Sequence, residues 1–182
     1  YIEHVADFIG PETDVPAPDI YTNERVMGWM MDEYSNIERQ RVPAVVTGKP
    51  VELGGSLGRD TATGRGAFLC IEDLADTHGW SREDTTVAVQ GFGNAGRSVA
   101  TLLHGAGFRI VAVSDSQGGI HDPGGFDVPS LVRFKEETRR IDATYCEGTV
   151  CQAIPAERVS NEELLALDVD ILVPAAIDGV IT

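Results

Sequence analysis

The sequence predicts an α/β fold, a doubly wound parallel sheet accompanied by part of a second lobe. Three observations predict it. Short β-branched runs recur at "TTVAVQ" (residues 85–90), "RIVAVSD" (Arg109–Asp115) and "VDILVPAA" (residues 169–176). Segments of helical period lie between them, and a glycine-rich turn, "GFGNAG", joins the first run to a helix. Unbroken apolar runs suit strands buried on both faces, as a parallel sheet requires. Alternation of strands and helices is the pattern of parallel winding.

The elements follow in order. "TNERVMGWMMDEY" places Val26, Met27, Met30 and Tyr34 at helical spacing, with Thr22 as the expected N-cap. Met27, Trp29, Met30 and Met31 there read as core or interface packing. Residues 41–66 are rich in glycine and read as a linker or crossing point between lobes. A helix is expected from about Thr63 to His78, with Phe68, Ile71 and Ala75 on one face, Leu74 beside them and Gly79 as terminator. After the first strand, a helix over residues 95–104 presents Val99, Leu102 and Leu103. "DVPSLVRFKEETRR" opens with Asp127 as cap and Pro129 in the first turn. Lys135 and its acidic neighbours read as a solvated helix face. "SNEELLAL" carries a capping box, Ser160 with Glu163 three residues on.

Composition narrows the function classes. With 42% hydrophobic residues among 182, the chain can bury a core. No apolar run approaches the roughly 20 residues needed to span a bilayer. The opening "YIEHVADFIGPE" is charged where an export signal would be apolar, so a cytoplasmic protein is expected. Cys70, Cys146 and Cys151 are too few for a disulfide framework or a tetrahedral zinc site, and no metal site is expected. Cys146 and Cys151 could pair under oxidation, but small buried apolar residues are the simpler expectation. The net charge of −15 repels phosphates and anionic membranes, which argues against nucleic acid and membrane partners. Adaptation to high salt would account for such an acidic surface.

In "GFGNAG", Gly91, Gly93 and Gly96 have the spacing of a dinucleotide fingerprint. Gly91 permits the tight turn, Gly93 admits a pyrophosphate and Gly96 allows close helix–strand packing. The next helix aims its free amides at the phosphates. Asp115 lies 24 residues beyond Gly91, near the roughly 20-residue separation of a ribose-binding acid. A Rossmann-like coenzyme domain for NAD or NADP follows. Asp115 favours NAD, since its charge repels a 2′-phosphate, while Ser116 and Gln117 could tolerate one and Asp115 could itself turn away. No lysine or arginine stands nearby in sequence to clamp that phosphate, although Arg97 could approach.

"DVPAPDIYT" places Asp19 after Pro16 and Pro18, which fix the backbone. A rigid, partly desolvated carboxylate suits proton transfer, and bracing a turn or capping a helix is the structural alternative.

The blocks "DVPAPDIYTNERVMGWMMDEYS", "TGKPVELGGSLGRDTATGRG", "VQGFGNAG", "VSDSQGGIHDPGGFD" and "NEELLALDVDILVPAAI" together resemble the glutamate dehydrogenase family. The resemblance covers nearly the whole chain, in order. It implies reversible oxidative deamination of L-glutamate to 2-oxoglutarate and ammonium, with hydride passing to NAD(P). By this resemblance Asp19 is the proton-shuttling aspartate. Arg59 and Thr63 line the coenzyme cleft. Gly91, Phe92, Gly93, Asn94, Ala95 and Gly96 form the pyrophosphate loop. Ala175 borders the nicotinamide, while Asp115 and Ser116 are placed at the adenosine ribose by their spacing from the glycine turn. It also implies a homo-oligomer, a hexamer in relatives.

Residues 1–52 then close a partial substrate-binding lobe, and 53–182 form the coenzyme domain, truncated at its C-terminus. The family's catalytic lysine segment and the end of its substrate pocket are expected outside the chain, so catalysis is expected of a longer parent. Leucine, phenylalanine and valine dehydrogenases share the architecture and are the alternative, as is a non-catalytic dinucleotide-binding subunit.

Overall fold

The computed structural model describes residues 1–19, 21–59, 61–148 and 150–181. The chain divides into two compact units, residues 1–60 and 61–182, inside the expected crossing segment and eight residues beyond the expected boundary at 52/53.

The first unit holds a short helix α1 (Ile2–Val5) and the long helix α2 (Glu24–Glu38), followed by two single 3₁₀ turns at Pro43–Val45 and Val51–Leu53. Its core gathers Ile2, Ile9, Met27, Met31, Tyr34, Val45 and Val46. The spacing of Met27, Met31 and Tyr34 is one face of a helix. Trp29 points elsewhere and is 64% exposed. The cap of α2 is Asn23, not Thr22: the Asn23 side chain accepts from the Arg25 and Val26 amides. Thr22 is diverted, its Oγ accepting from the Asp19 amide at 2.6 Å and donating to the Asp19 carbonyl at 2.9 Å.

The second unit runs α3 (Ala62–His78), β1 (Thr86–Gln90), α4 (Asn94–Gly105), β2 (Arg109–Asp115), β3 (Gly118–His121) and α5 (Val128–Thr138). There follow β4 (Thr144–Glu147), β5 (Val150–Ala153), β6 (Glu157–Val159), α6 (Asn161–Leu165) and β7 (Ile171–Pro174). The five-stranded sheet has the order β6-β3-β2-β1-β7. β1 lies parallel to β2 and to β7, whereas β3 and β6 run antiparallel, so the sheet is mixed rather than wholly parallel.

Helices cover both faces. Ala75 of α3, Val99 and Leu103 of α4, and Leu131 of α5 pack with Val87, Val89 and Ile110. Leu164 of α6 packs with Ala88, Ala112 and Val159 on the opposite face. The register of β1 on β2 shifts between Val87 and Ala88, which skips Val111 and lets Ile110 and Val113 share a face. Leu74, expected beside the buried stripe of α3, is instead 46% exposed.

Strands β4 and β5 form a hairpin in which Cys146 lies opposite Cys151, and the two are joined by a disulfide with Cα atoms 4.0 Å apart. They are half-buried, which corrects the expectation of two buried free thiols. Antiparallel register, not spacing alone, sets the pair face to face. Cys70 is a free, exposed thiol on α3.

Candidate functional site at the ends of the parallel strands

In the second unit, β1 leaves the sheet between neighbours that diverge in sequence, β2 on one side and β7 on the other. Such a switch point, at the carboxyl ends of parallel strands, opens a crevice. The three fingerprint glycines meet three different surroundings there. A Cβ on Gly91 (φ +89°) would stand 2.6 Å from the Ala175 carbonyl oxygen, and the Ala175 amide donates to the Gln90 carbonyl at 2.8 Å. The turn therefore passes directly over the end of β7. A Cβ on Gly96 would fall 1.7 Å from the Gly91 carbonyl oxygen and 3.3 Å from Val89, so α4 seats against β1 only because the residue has no side chain. A Cβ on Gly93 would meet nothing within 4 Å. That side is open.

Gly93 is the N-cap of α4 and contributes no side-chain cap. The first-turn amides, which begin with exposed Asn94 and half-buried Ala95, have no intrahelical acceptor and form a ready anion site. Phe92, placed in the pyrophosphate loop by sequence, is 1% exposed and belongs to the core beneath it. Its contribution is to hold the turn, not to present a side chain. Thr63, exposed in the first turn of α3, is next to Gly64, whose Cβ would lie 2.5 Å from Ser98 Cβ. This close contact sets the start of α3 against α4. Arg97 is engaged by Glu136 at 2.9 Å rather than free for a phosphate.

At the end of β2 the structure corrects two expectations. Lys135 is no solvated residue: its ammonium donates to Asp115 Oδ2 at 2.7 Å, and the two side chains are only 20% and 15% exposed. A basic group does stand beside Asp115, brought from twenty residues downstream by α5. The Asp115 carboxylate is otherwise held by the Gln117 amide, which donates to Oδ1 at 2.8 Å. Ser116 and Gln117 are exposed in the turn that follows. Val128, Leu131 and Lys135 follow helical spacing, and the first two are buried, so the phase of α5 was the available signal for Lys135.

In the first unit, Asp19 is exposed, so no residue of this unit desolvates its side chain and the expected partial burial is not met. Its backbone is nonetheless fixed. The Thr47 amide donates to the Pro16 carbonyl at 2.9 Å, and Gly48 leaves room for the Pro18 ring, which a Cβ there would approach to 2.5 Å. Arg59 Nη2 donates to the Pro18 carbonyl at 3.2 Å, so Arg59 braces the loop that carries Asp19.

The cradle fits a dinucleotide: an open glycine, uncapped amides and a carboxylate at the neighbouring strand end. Comparison with known proteins points the same way. Residues 54–182 match the family model described as Glutamate/Leucine/Phenylalanine/Valine dehydrogenase, and residues 1–36 match that of the family's dimerisation domain. An NADP-specific glutamate dehydrogenase of Synechocystis is 54% identical over all 182 residues, and a glutamate dehydrogenase of Thermotoga maritima is 50% identical. The chain spans 42% of the length of each. A crystal structure of the hetero-hexameric glutamate dehydrogenase from Thermus thermophilus, leucine-bound, superposes with a TM-score of 0.84 at 38% identity. It covers 98% of this chain and 40% of that one.

Proposed function

Because this chain belongs to the Glutamate/Leucine/Phenylalanine/Valine dehydrogenase family, we propose that it is part of an NAD(P)-dependent glutamate dehydrogenase. The reaction is the reversible oxidative deamination of L-glutamate to 2-oxoglutarate and ammonium. The observation that carries this reading is the glycine turn: Gly96 packed, Gly91 over β7 and Gly93 open. The names of the similar proteins, all glutamate dehydrogenases, favour glutamate over leucine, phenylalanine or valine.

A nicotinamide coenzyme, when bound, would supply the acceptor for the hydride that leaves the substrate's α-carbon. The α4 amides and Gly93 hold the pyrophosphate, which fixes the coenzyme's position along the strand ends. Ala175, beside Gly91, and Thr63 are the residues that would hold the nicotinamide end. Asp19 takes a proton from the α-amino nitrogen in deamination and returns it in amination. Pro16, Pro18 and the Arg59 brace hold its backbone, so little reorganisation accompanies the transfer.

Oligomerisation belongs to the same proposal: residues 1–36 match a dimerisation domain and leave Phe8 and Trp29 exposed. So does adaptation of the acidic surface to high salt. A cytoplasmic setting belongs to the same proposal, with the Cys146–Cys151 disulfide then forming under oxidising conditions. Among the described residues, no helix is long and apolar enough to cross a membrane.

The test uses the intact parent enzyme. Asp19→Asn should leave coenzyme affinity unchanged and lower kcat by about 10² or more, the scale of a lost proton-transfer group. Unchanged turnover would remove Asp19 from the mechanism, and preference for leucine over glutamate would reassign the substrate.

A further inference from the structure

We propose that Cys146 and Cys151 form a reversible thiol–disulfide site, opened by a dithiol reductant, and that its state sets how firmly α5 is held beside the candidate coenzyme cleft. The consequence for coenzyme binding rests on the dinucleotide reading of the glycine turn. The exchange at the two sulfurs does not.

The bond closes a sequence separation of only 5 residues. The constraint that a disulfide places on an unfolded chain grows with the loop it closes, so this one adds little to global stability. What it fastens is local. Among the described residues, β4 and β5 pair with each other and with no other strand. A lone two-stranded hairpin is marginal in water unless something holds it. The flanks of this hairpin are anchored: Ala143 is buried in the main core, and Ile154 and Ala156 pack against it. Opening the bond therefore frees the hairpin without dismantling the sheet. Both cysteines are half-buried, and Tyr145, Glu147, Val150 and Gln152 around them are exposed, so a reductant can approach. Disulfides reachable from solvent are the labile ones.

Two contacts carry the hairpin's position into α5. The Cys146 amide donates to Ser130 Oγ at 2.8 Å, and the Ser130 amide and hydroxyl donate in turn to the Asp127 cap. At the hairpin tip, Arg133 Nη1 donates to the Gly148 carbonyl. Val128 and Leu131 fix the first half of α5 in the core whatever the hairpin does. The second half has less support: residues 136–140 are exposed, and Lys135 is bonded to Asp115 at the end of β2. Arg133 and Lys135 lie within one turn, so the hairpin tip and the end of β2 grip the same stretch of helix.

Reduction proceeds by thiol–disulfide exchange. A thiolate of the reductant attacks one sulfur, the bond between Cys146 and Cys151 breaks, and the reductant's second thiol resolves the mixed disulfide. Two electrons and two protons end on the cysteines as two thiols, and the reductant leaves as its own disulfide. With the bond open, the Cys146 amide and the Gly148 carbonyl lose their fixed positions, and the second half of α5 loosens with them.

The competing explanation is a permanent structural bond. The test uses the intact parent enzyme, reduced with dithiothreitol or oxidised with glutathione disulfide, with the state of each cysteine read by alkylation and peptide mass. Dithiothreitol should open Cys146–Cys151 in the folded enzyme, and glutathione disulfide should restore it. Reduction should weaken NADH or NADPH binding by about threefold or more, the low end of coupling through a packed network. Hydrogen exchange should show β4, β5 and residues 133–138 losing protection on reduction while β1 keeps it. Cys146→Ser/Cys151→Ser should bind coenzyme as the reduced enzyme does in both buffers, and Cys70→Ser should respond like the wild type. Should the double variant fail to fold, the wild type before and after reduction answers the same question. A bond that opens only when the whole enzyme unfolds, or an affinity unmoved by its opening, overturns the inference but not the dinucleotide site. A dithiothreitol effect that survives in the double variant comes from another thiol and overturns it too. Absence of coenzyme binding in both states overturns the dinucleotide reading instead, and exchange at α5 then decides the switch alone.

Discussion

Asp170 and Thr86 hold one another across 84 residues of sequence: the Thr86 amide and hydroxyl both donate to Asp170 Oδ2 at 2.7 Å, and the Asp170 amide donates to Thr86 Oγ at 3.0 Å. The pair clamps the entry of β7 to the entry of β1, just ahead of the first parallel partners, Ile171 and Val87. The switch point at the other end of these strands depends on their register. The Thr86 amide, then its hydroxyl, stabilise the charged carboxylate and hold the Asp170 pKa below the ordinary range.

A depressed folded-state pKa contributes stability that is complete above the unfolded value and is lost as pH falls through the folded one. Asp170→Ala should therefore lower the Tm at neutral pH by about 2–4 °C, the effect of about 1 kcal/mol in a chain of this size. The deficit should hold constant down to about pH 5 and narrow below about pH 4, first as the unfolded chain's carboxylate protonates and then, at lower pH, as the folded one does. Thermal melts of both proteins across this range make the comparison. A deficit that grows on acidification would contradict the assignment.

Gly93 and Gly96 stand three residues apart and should fail in opposite ways. An alanine at 96 would drive its Cβ into the Gly91 carbonyl, so the strand, turn or helix must move, at a cost of about 1–3 kcal/mol or more. An alanine at 93 meets open space with φ at −87°, so stability should fall only by the difference between glycine and alanine as N-caps, up to about 1 kcal/mol. Coenzyme affinity should fall markedly with the alanine at 93, because its methyl occupies the side left clear for a phosphate. Melting temperature and NADPH titration on each variant decide the matter. Equal loss of stability in both would mean that the open side serves packing instead.

Much of this arrangement was legible because periodicity and glycine spacing are local signals. The parallel strands, α3 to α6, the Asp127 and Ser160 caps and the fingerprint all depend on neighbours within a turn or two. What escaped depends on distance or on weak propensity. β3 is built from "GGIH", and glycine hides a strand that exists only because the turn at Asp115–Gly118 folds it back on β2. The β4–β5 hairpin and its disulfide have the same cause, cross-strand register that spacing cannot supply. Thr22 and Asn23 are both capping types, and one residue of register chose between them. Lys135 escaped because its partner lies on another strand, although its helical phase with Val128 and Leu131 pointed inward.

Ser130 ties the hairpin to α5. It is buried, its amide and hydroxyl both donate to the Asp127 cap, and its Oγ accepts from the Cys146 amide at 2.8 Å. Ser130→Ala keeps the cap's bond to the backbone but leaves the Cys146 N–H without its acceptor. The expected loss is about 1–3 kcal/mol, the cost of an unsatisfied polar group. Hydrogen exchange should show the Cys146 amide losing protection well before the amides of β1. Unchanged protection there would show that the hairpin is held by other contacts.

The acidic surface makes a prediction of opposite character, because it concerns the whole molecule. Among the described residues, four of the twelve arginines are committed to carboxylates: Arg82 to Glu72 and Asp76, Arg97 to Glu136, Arg133 to Glu137 and Arg158 to Asp142. Exposed pairs of this kind contribute little individually, and they leave the net charge of −15 uncompensated. Screening weakens both attraction and repulsion, but like-charge pairs are the more numerous, so salt should stabilise. The Debye length falls from about 10 Å at 0.1 M to about 3 Å at 1 M, which removes most repulsion between neighbouring carboxylates. The Tm should rise continuously from low salt to molar potassium chloride. Chloride salts are the appropriate probe, since sulfate also strengthens apolar burial by exclusion and would raise the Tm of a neutral protein as well. Replacing Glu162, Asp168 and Asp178, all exposed, by the corresponding amides should flatten the dependence. A Tm indifferent to chloride would show that the acid excess carries no destabilising field to be screened.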